Sequence, residues 1–235
     1  MALGSRIQAM VKANVIKSSE LGYDEIASLY DAWHWQRFWK LNEWPIILQW
    51  AGLFRTCLDI GCGTGEYFAT LSERGRICGV DVSDKMLSIA RSKLGPHADL
   101  RKGTATALPI DPHQKFDLCL STRTLSHIRA VDQAIQECSR VTVAGSRWLI
   151  SDVHCTHPYA ATRVPTEHGD VYIQTYKLDP QLLSKLLHES GFWSVSRFQV
   201  FYWKDLLWKP LDPEFERIDQ SSTRAVFFVL EAIRM

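Results

Sequence analysis

The sequence predicts a doubly wound α/β domain behind an N-terminal helical cap. Three observations lead there. From residue 56 onward, short apolar strand-like runs alternate with helix-like segments, the pattern of right-handed βαβ units. Glycines at alternate positions, Gly61, Gly63 and Gly65, fill the turn between the first strand and the helix behind it. An acid, Asp81, closes the second strand sixteen residues after Gly65.

The elements follow in order. Tyr23, Ile26, Ala27 and Tyr30 share one face of a helix, and Trp33, Trp35, Phe38, Trp39, Trp44 and Trp50 continue with unusual aromatic density. Residues 1–50 are therefore expected to form an arm and cap over the carboxyl edge of the sheet. Residues 51–235 are expected to form the main domain, with substrate-side elements around 155–180. Thr56–Ile60 reads as a strand and Glu66–Ser72 as a helix. Arg76–Val82 is a strand, and Asp84–Leu94 a helix capped by Ser83 or Asp84. Ala98–Arg101 and Phe116–Ser121 are strands, Val131–Val141 a helix and Arg147–Val153 a strand. A polar loop over Cys155–Asp170 leads to an extended run, Val171–Tyr176, and to a helix, Pro180–Glu189, with Gly191 as its stop. Phe192–Phe201 and Arg224–Ile233 read as long strands separated by a loop with Pro210 and Pro213. The last is apolar enough to lie inside the sheet.

Composition narrows the function. The 46% hydrophobic content supports a full core. A net charge of +1, from 27 basic and 26 acidic residues, gives no electrostatic reason to expect nucleic acid or an anionic membrane as partner. No apolar run approaches the ~20 residues of a membrane span. The first twenty residues lack the apolar core of a secretory signal, so the expected location is cytoplasmic. The six cysteines include no CxxC pair, and most sit in apolar strand-like runs. They read as reduced small hydrophobes, and no metal site is expected. The expected assembly is a monomer or homodimer.

The run Leu58-Asp59-Ile60-Gly61-Cys62-Gly63-Thr64-Gly65 carries the chemistry. Its glycines let the chain turn sharply and let a ligand approach bare backbone. A dinucleotide site would need glycine at position 66, where this chain has Glu66, a carboxylate that would repel a pyrophosphate. Asp59 is easier to explain beside a cationic amino group. The spacing suits the amino-acid end of S-adenosylmethionine, which carries one carboxylate and one ammonium. Asp81 is placed to accept both hydroxyls of a ribose; the structural alternative is a cap for the helix at Asp84.

With these pieces the chain resembles the class I S-adenosylmethionine-dependent methyltransferases, close to the small-molecule branch called type 11. The resemblance runs from about Tyr23 to the C-terminus. It rests on YDEIASLYD at 23–31, LDIGCGTG at 58–65, GVDVS at 79–83, ATALP at 105–109, FDLCLSTRTLSHI at 116–128 and LISDVH at 149–154. It implies a seven-stranded, mostly parallel, Rossmann-like sheet with an antiparallel last strand. It also implies that Asp59, Gly61, Gly63 and Gly65 hold the methionine end, Asp81 the ribose, and Val82 and Met86 the adenine, with Tyr23 closing over the methionine end. Thr104 stands where the family usually has an aspartate that reads the adenine. The Ala105 backbone and the Thr106 hydroxyl are available in its place, and Ser121 completes the cofactor-side set.

Methyl transfer is an in-line displacement that needs an aligned nucleophile and, for a hydroxyl acceptor, a base. His127, after the fourth strand, is the candidate base. Asp152, at the end of the fifth, is its candidate orienting carboxylate, a pairing that resembles natural-product sugar O-methyltransferases of this branch. The bland reading is that His127 caps or packs a helix and Asp152 bonds a loop. Arg123, His154, Tyr172, Tyr176 and, more weakly, His168 are candidate pocket residues. Trp35, Trp39 and the aromatic residues around them form either ordinary core or a wall for a flat acceptor.

The expected function is therefore methylation of a small molecule, on O or N, such as an aromatic or natural-product metabolite. The alternative is a non-catalytic S-adenosylmethionine-binding partner subunit. A nicotinamide-dependent oxidoreductase is disfavoured by Glu66. A nucleic-acid methyltransferase would need a basic groove or a base-flipping motif, and metal-dependent catechol chemistry would need clustered acids beside Asp152. None of these is visible.

Overall fold

A computed structural model describes residues 15–157, 160–207 and 224–235. The expected loop around Pro210 and Pro213 lies outside them. A short strand β1 (Ile16–Lys17) leads to helix α1 (Ser19–Tyr30), whose N-cap Ser18 accepts from the Leu21 N–H. Helices α2 (His34–Asn42) and α3 (Trp44–Ala51) follow. Then come β2 (Thr56–Ile60), α4 (Phe68–Ser72), β3 (Arg76–Asp81), α5 (Asp84–Leu94), β4 (Asp99–Lys102) and β5 (Phe116–Thr122). Helix α6 (Val131–Arg140) leads to the long β6 (Thr142–Val153). A hairpin of β7 (Ala161–Thr166) and β8 (Gly169–Gln174) precedes α7 (Pro180–Glu189), β9 (Trp193–Tyr202) and β10 (Ala225–Arg234).

Seven strands form the main sheet in the order β4-β3-β2-β5-β6-β10-β9. β10 runs antiparallel to both β6 and β9, and the strands from β4 to β6 pair in parallel. Period-two alternation divides the core into two layers. On one face Cys119, Trp148, Ile150 and Phe228 pack with Ile135 of α6 and Leu183 of α7. On the other, Leu118, Leu120, Leu149 and Phe227 pack with Phe38 and Trp39 of α2 and Ile47 of α3. With helices on both faces every strand can be apolar throughout, which is why β10 reads as an unbroken hydrophobic run.

The structure corrects the sequence reading between residues 155 and 170. Ala161–Thr166 is a strand, paired antiparallel with β8; with β1 it makes a second, three-stranded sheet in the order β1-β8-β7. Pro165 hid it, but β7 is an edge strand, where a missing N–H costs little. Helix α1 packs its Ile26 and Ala27 between this small sheet (Val164, Val171, Ile173) and Met86 of α5. Hydrogen bonds hold it over the carboxyl edge. The Ser83 hydroxyl (2.6 Å) and the Lys85 N–H (3.1 Å) donate to Asp24, and the Thr64 hydroxyl donates to Asp31 (2.6 Å). Burial alone would raise the Asp24 pKa; those two donors overcome it and hold the carboxyl below its usual range.

Candidate active site

The glycine loop leaves β2 with positive φ at Gly61 (81°), Gly63 (53°) and Gly65 (74°). These are left-handed values that side chains resist. At Gly61 space is also lacking, because a Cβ there would lie 2.1 Å from the Thr124 hydroxyl. Gly63 differs: nothing but the Tyr30 ring, 4.0 Å away, approaches the same point, so its backbone borders open space.

That space is a cavity of about 480 Å³ along the carboxyl edge, between α1 and the strand ends. Tyr23, Gly61, Gly63, Asp81, Val82, Met86, Thr104, Ala105, Thr106, Arg123 and His127 line it. Among the other expected cofactor residues, Gly65 does not line it; a Cβ at Gly65 would meet Leu94, so this glycine serves the packing of α5. Ser121 is buried on the far face of β5, where its hydroxyl accepts from the Trp148 indole at 3.1 Å. Asp59 directly precedes the lining residues Ile60 and Gly61 and does not itself line the cavity.

The acids differ in how they are held. Asp81 accepts from the Gly63 N–H (2.8 Å) and the Ser83 N–H (2.9 Å), so its carboxylate ties the glycine loop to the start of α5. Burial pushes its pKa up, and these amides pull it back. Asp59 is 1% exposed, and its Oδ1 has no hydrogen-bond partner among the described residues. Burial first, then the Asp81 charge, raises it from 3.8 to about 7, with Arg123 pulling the other way. Such an orphaned buried acid under the glycine loop, with Asp81 on the cavity wall and bare backbone at Gly63, fits a ligand with an ammonium and a ribose.

His127 does not pair with Asp152. The Tyr23 hydroxyl lies 2.9 Å from His127 Nε2, and His127 Nδ1 lies 2.7 Å from the Gln174 carbonyl. A carbonyl only accepts, so Nδ1 carries the proton and Nε2 accepts from Tyr23. Burial lowers the His127 pKa, and the Gln174 carbonyl partly offsets this. Burial likewise raises the Tyr23 phenol well above its usual value. Asp152 is fully buried and accepts instead from the Ser126 N–H and the Val153 N–H, each at 2.8 Å, with its pKa raised by burial to about 6. It therefore anchors the turn that presents His127 without touching the ring.

The expected acceptor-side residues divide. Arg123 lines the cavity in a left-handed conformation (φ 54°), its N–H donating to the Ser151 carbonyl at 2.7 Å. Its guanidinium lies 3.0 Å from Glu43 Oε2, 4.9 Å from the Trp39 ring centre and 5.5 Å from that of Tyr67. Glu43, wholly buried, also accepts from the Tyr67 and Ser151 hydroxyls at 2.7 Å each. Trp35 and Trp39 do not line the cavity. They pack with Phe38, and Phe38 and Trp39 pack edge-on against Phe227, so the aromatic segment is core rather than an acceptor wall. His154 (ring toward Thr156), Tyr172 (on β8 near Asp170) and Tyr176 (backbone on Ser126) all lie off the cavity. His168 sits exposed in the β7–β8 turn. Sequence reasoning missed Tyr67, Gln36 and Thr122 as lining residues and Glu43 as the partner of Arg123. No group of side chains able to hold a metal, and no helix long and apolar enough to cross a membrane, occurs among the described residues.

A family model described as "Methyltransferase domain" matches residues 58–150, the stretch that holds the glycine loop and the acid after β3. Over that stretch the chain is similar to the class I S-adenosylmethionine-dependent methyltransferases. It is 33% identical over 99 residues to a ubiquinone biosynthesis O-methyltransferase of Nitrosomonas europaea, covering 40% of this chain and 42% of that one. It is 32% identical over 146 residues to a 2-phytyl-1,4-naphtoquinone methyltransferase of Thermosynechococcus vestitus, covering 58% and 64%. The chain thus spans less than two thirds of the length of these curated relatives. In fold it resembles an S-adenosylmethionine-dependent methyltransferase of Mesorhizobium loti, with TM-score 0.60 and 19% identity over 82% of this chain and 97% of that one. Nothing in these comparisons supports a non-catalytic partner subunit.

Proposed function

We propose that this chain transfers a methyl group from S-adenosylmethionine to a small-molecule acceptor. One observation carries the reading: a single cavity joins bare glycine-loop backbone and the Asp81 carboxylate to a neutral imidazole whose Nε2 faces a phenol. The cofactor, when bound, supplies an electrophilic methyl on a sulfonium that leaves as a neutral thioether, so no acid is needed at the leaving group. Asp81 would take the ribose hydroxyls and Asp59 would offset the ammonium; Val82, Met86, Thr104, Ala105 and Thr106 would border the adenine.

The chain's own chemistry lies in Tyr23 and His127. A hydroxyl acceptor at the Tyr23 oxygen would lose its proton toward His127 Nε2 through that phenol. The resulting imidazolium keeps its Nδ1–H on the Gln174 carbonyl. Asp152 fixes the Ser126 turn and hence the position of His127, in place of the direct orienting role expected of it. The name of one relative, a ubiquinone biosynthesis O-methyltransferase, favours O-methylation over N-methylation. The test is radiolabelled methyl transfer from S-adenosylmethionine across a panel of hydroxylated quinones, phenols and amines, after calorimetry with S-adenosylhomocysteine. Micromolar binding and transfer to a phenol are expected. Binding of a nicotinamide nucleotide in place of S-adenosylhomocysteine would overturn the reading.

A further inference from the structure

Both ring nitrogens of His127 are engaged from outside the main sheet. The Tyr23 hydroxyl, from α1, donates to Nε2 at 2.9 Å. The Nδ1–H donates at 2.7 Å to the carbonyl of Gln174, the last residue of β8. The turn that carries the ring is tied to the same strand end, because the Tyr176 N–H donates to the Ser126 carbonyl at 2.6 Å. The imidazole is thus gripped between a helix and a strand of the small sheet. The span between those two elements decides whether both bonds can exist at once.

That span is set one residue away on each side. Gly22 precedes Tyr23, and Ile173 precedes Gln174. The two are packed so closely that a Cβ at Gly22 would lie 2.6 Å from Ile173 Cγ1, 3.1 Å from Cδ1 and 3.2 Å from Cγ2. Gly22 is buried inside α1, where glycine is among the least favourable residues. Its φ is not positive, and its N–H makes an ordinary helical bond to the Ser18 carbonyl at 2.9 Å, so the backbone conformation does not ask for glycine. The approach of β8 does. Ile173 has little room to yield, being β-branched and fully buried among Ile26, Ala27, Val164 and Val171. A methyl at position 22 would have to open α1 from β8 by about 1 Å to restore ordinary carbon–carbon contact. Carried to the neighbouring residues, that widening stretches one of the two bonds beyond hydrogen-bonding range. Gln174 and Tyr176 hold the ring on the β8 side, so the bond to give way is that of Tyr23.

We propose that Gly22 and Ile173 are positioning residues for the base. Their close contact fixes the distance between the Tyr23 hydroxyl and the Gln174 carbonyl, and so keeps the phenol on Nε2 for the proton relay. The catalytic consequence rests on the proposed methyl transfer; the grip on the ring is measurable without it.

The test is nitrogen NMR of the His127 ring in the full chain, with melting temperature, S-adenosylhomocysteine calorimetry and radiolabelled transfer to a phenol alongside. Wild type should show a protonated Nδ1 and a bare, hydrogen-bonded Nε2. Gly22→Ala should move Nε2 to the shift of an unbonded nitrogen and lower kcat about 10–100-fold, the cost of an ångström-scale misplacement. Affinity for S-adenosylhomocysteine should fall by a smaller factor. Ile173→Ala, which removes Cγ1, Cδ1 and Cγ2, should recover both the shift and kcat in the Gly22→Ala background. With Tyr23→Phe already present, Gly22→Ala should lower kcat no further, since the two act through one bond. Unchanged ring-nitrogen shifts in a folded Gly22→Ala would overturn the inference, as would a loss of kcat that Ile173→Ala does not recover. A wild type inactive toward every hydroxyl acceptor would sink the methyl-transfer reading alone, and the ring-nitrogen shifts would still decide the grip.

Discussion

Asp59 carries a charge that the ligand-free protein holds poorly, and this has a measurable consequence. Its pKa stands at about 7 against an ordinary 3.8, chiefly through burial and then through Asp81. The folded chain therefore holds this proton more tightly than the unfolded chain does. The group's effect on stability is absent below pH 3.8, turns unfavourable as pH rises, and levels off above about 7. About three pH units at ~1.36 kcal/mol each make a penalty of up to about 4 kcal/mol at pH 8. An ammonium bound beside the glycine loop would relieve it and return the pKa toward its ordinary value. Ligand binding must then expel a proton.

The number expelled follows from the protonated fraction, about 0.9 at pH 6, half at pH 7 and about 0.1 at pH 8. Titrating S-adenosylhomocysteine in buffers of different ionisation enthalpy reads it directly, as the slope of observed heat against buffer enthalpy. The slope should approach one proton released at pH 6 and fall toward zero at pH 8. Asp152 does not imitate it, because it sits on backbone amides away from the cavity. Asp59→Asn should abolish the slope and raise the melting temperature of the ligand-free protein at pH 8 more than at pH 5. A zero slope at pH 6 with wild type binding normally would refute the placement of an ammonium near Asp59.

Three further outcomes are expected. His127→Ala should lower kcat about 10²–10⁴-fold for a hydroxyl acceptor, with an acid limb in the wild-type rate below pH 6.5 because burial lowers this pKa; full activity in the variant would remove the base role. Asp152→Asn should lower the melting temperature, since a buried acceptor of two amides is changed, yet leave the position of that acid limb where it was; a moved limb would restore the direct pairing. Asp81→Ala should weaken S-adenosylhomocysteine by about 2–3 kcal/mol in calorimetry, and unchanged affinity would take Asp81 out of the ribose site.

Much of the fold was legible because it is local. Asp84–Leu94 and Pro180–Glu189 match the helices residue for residue, since Ser83 and Asp179 cap them and the apolar spacing fills them. The long β10 showed itself as a continuous apolar run, as a strand covered on both faces must. The extended run Val171–Tyr176 overlaps β8, but its partner β7 was not legible, because it is short, polar on one side and carries a proline that only an edge position tolerates. The glycine loop and Asp81 were legible because backbone conformation and a strand-end acid leave marks within a few residues. The Arg123–Glu43 pair left none: its members are far apart in sequence, and Glu43 sits in a segment that otherwise reads as helix surface.

The His127–Asp152 pairing failed for a reason the strand pattern already contains. Successive residues of a strand face opposite sides. In β6, Trp148 and Ile150 join the core layer beneath α6 and α7, so Asp152 falls on that same side, where the Ser126 amide meets it. Leu149 joins the cap-side layer, so Ser151 falls on the cap side, where it donates to Glu43. The same parity in β5 puts Cys119 and Ser121 beneath α6, and Leu118, Leu120 and Thr122 on the cap side. Thr122 and Arg123 line the cavity while Ser121 and Asp152 do not. Reaching the carboxyl edge is therefore not enough to enter the site. Parity decides which strand-end residues support the turn bearing the base and which face the cap, and Ser151, one residue from the expected Asp152, holds Glu43 behind the Arg123 wall.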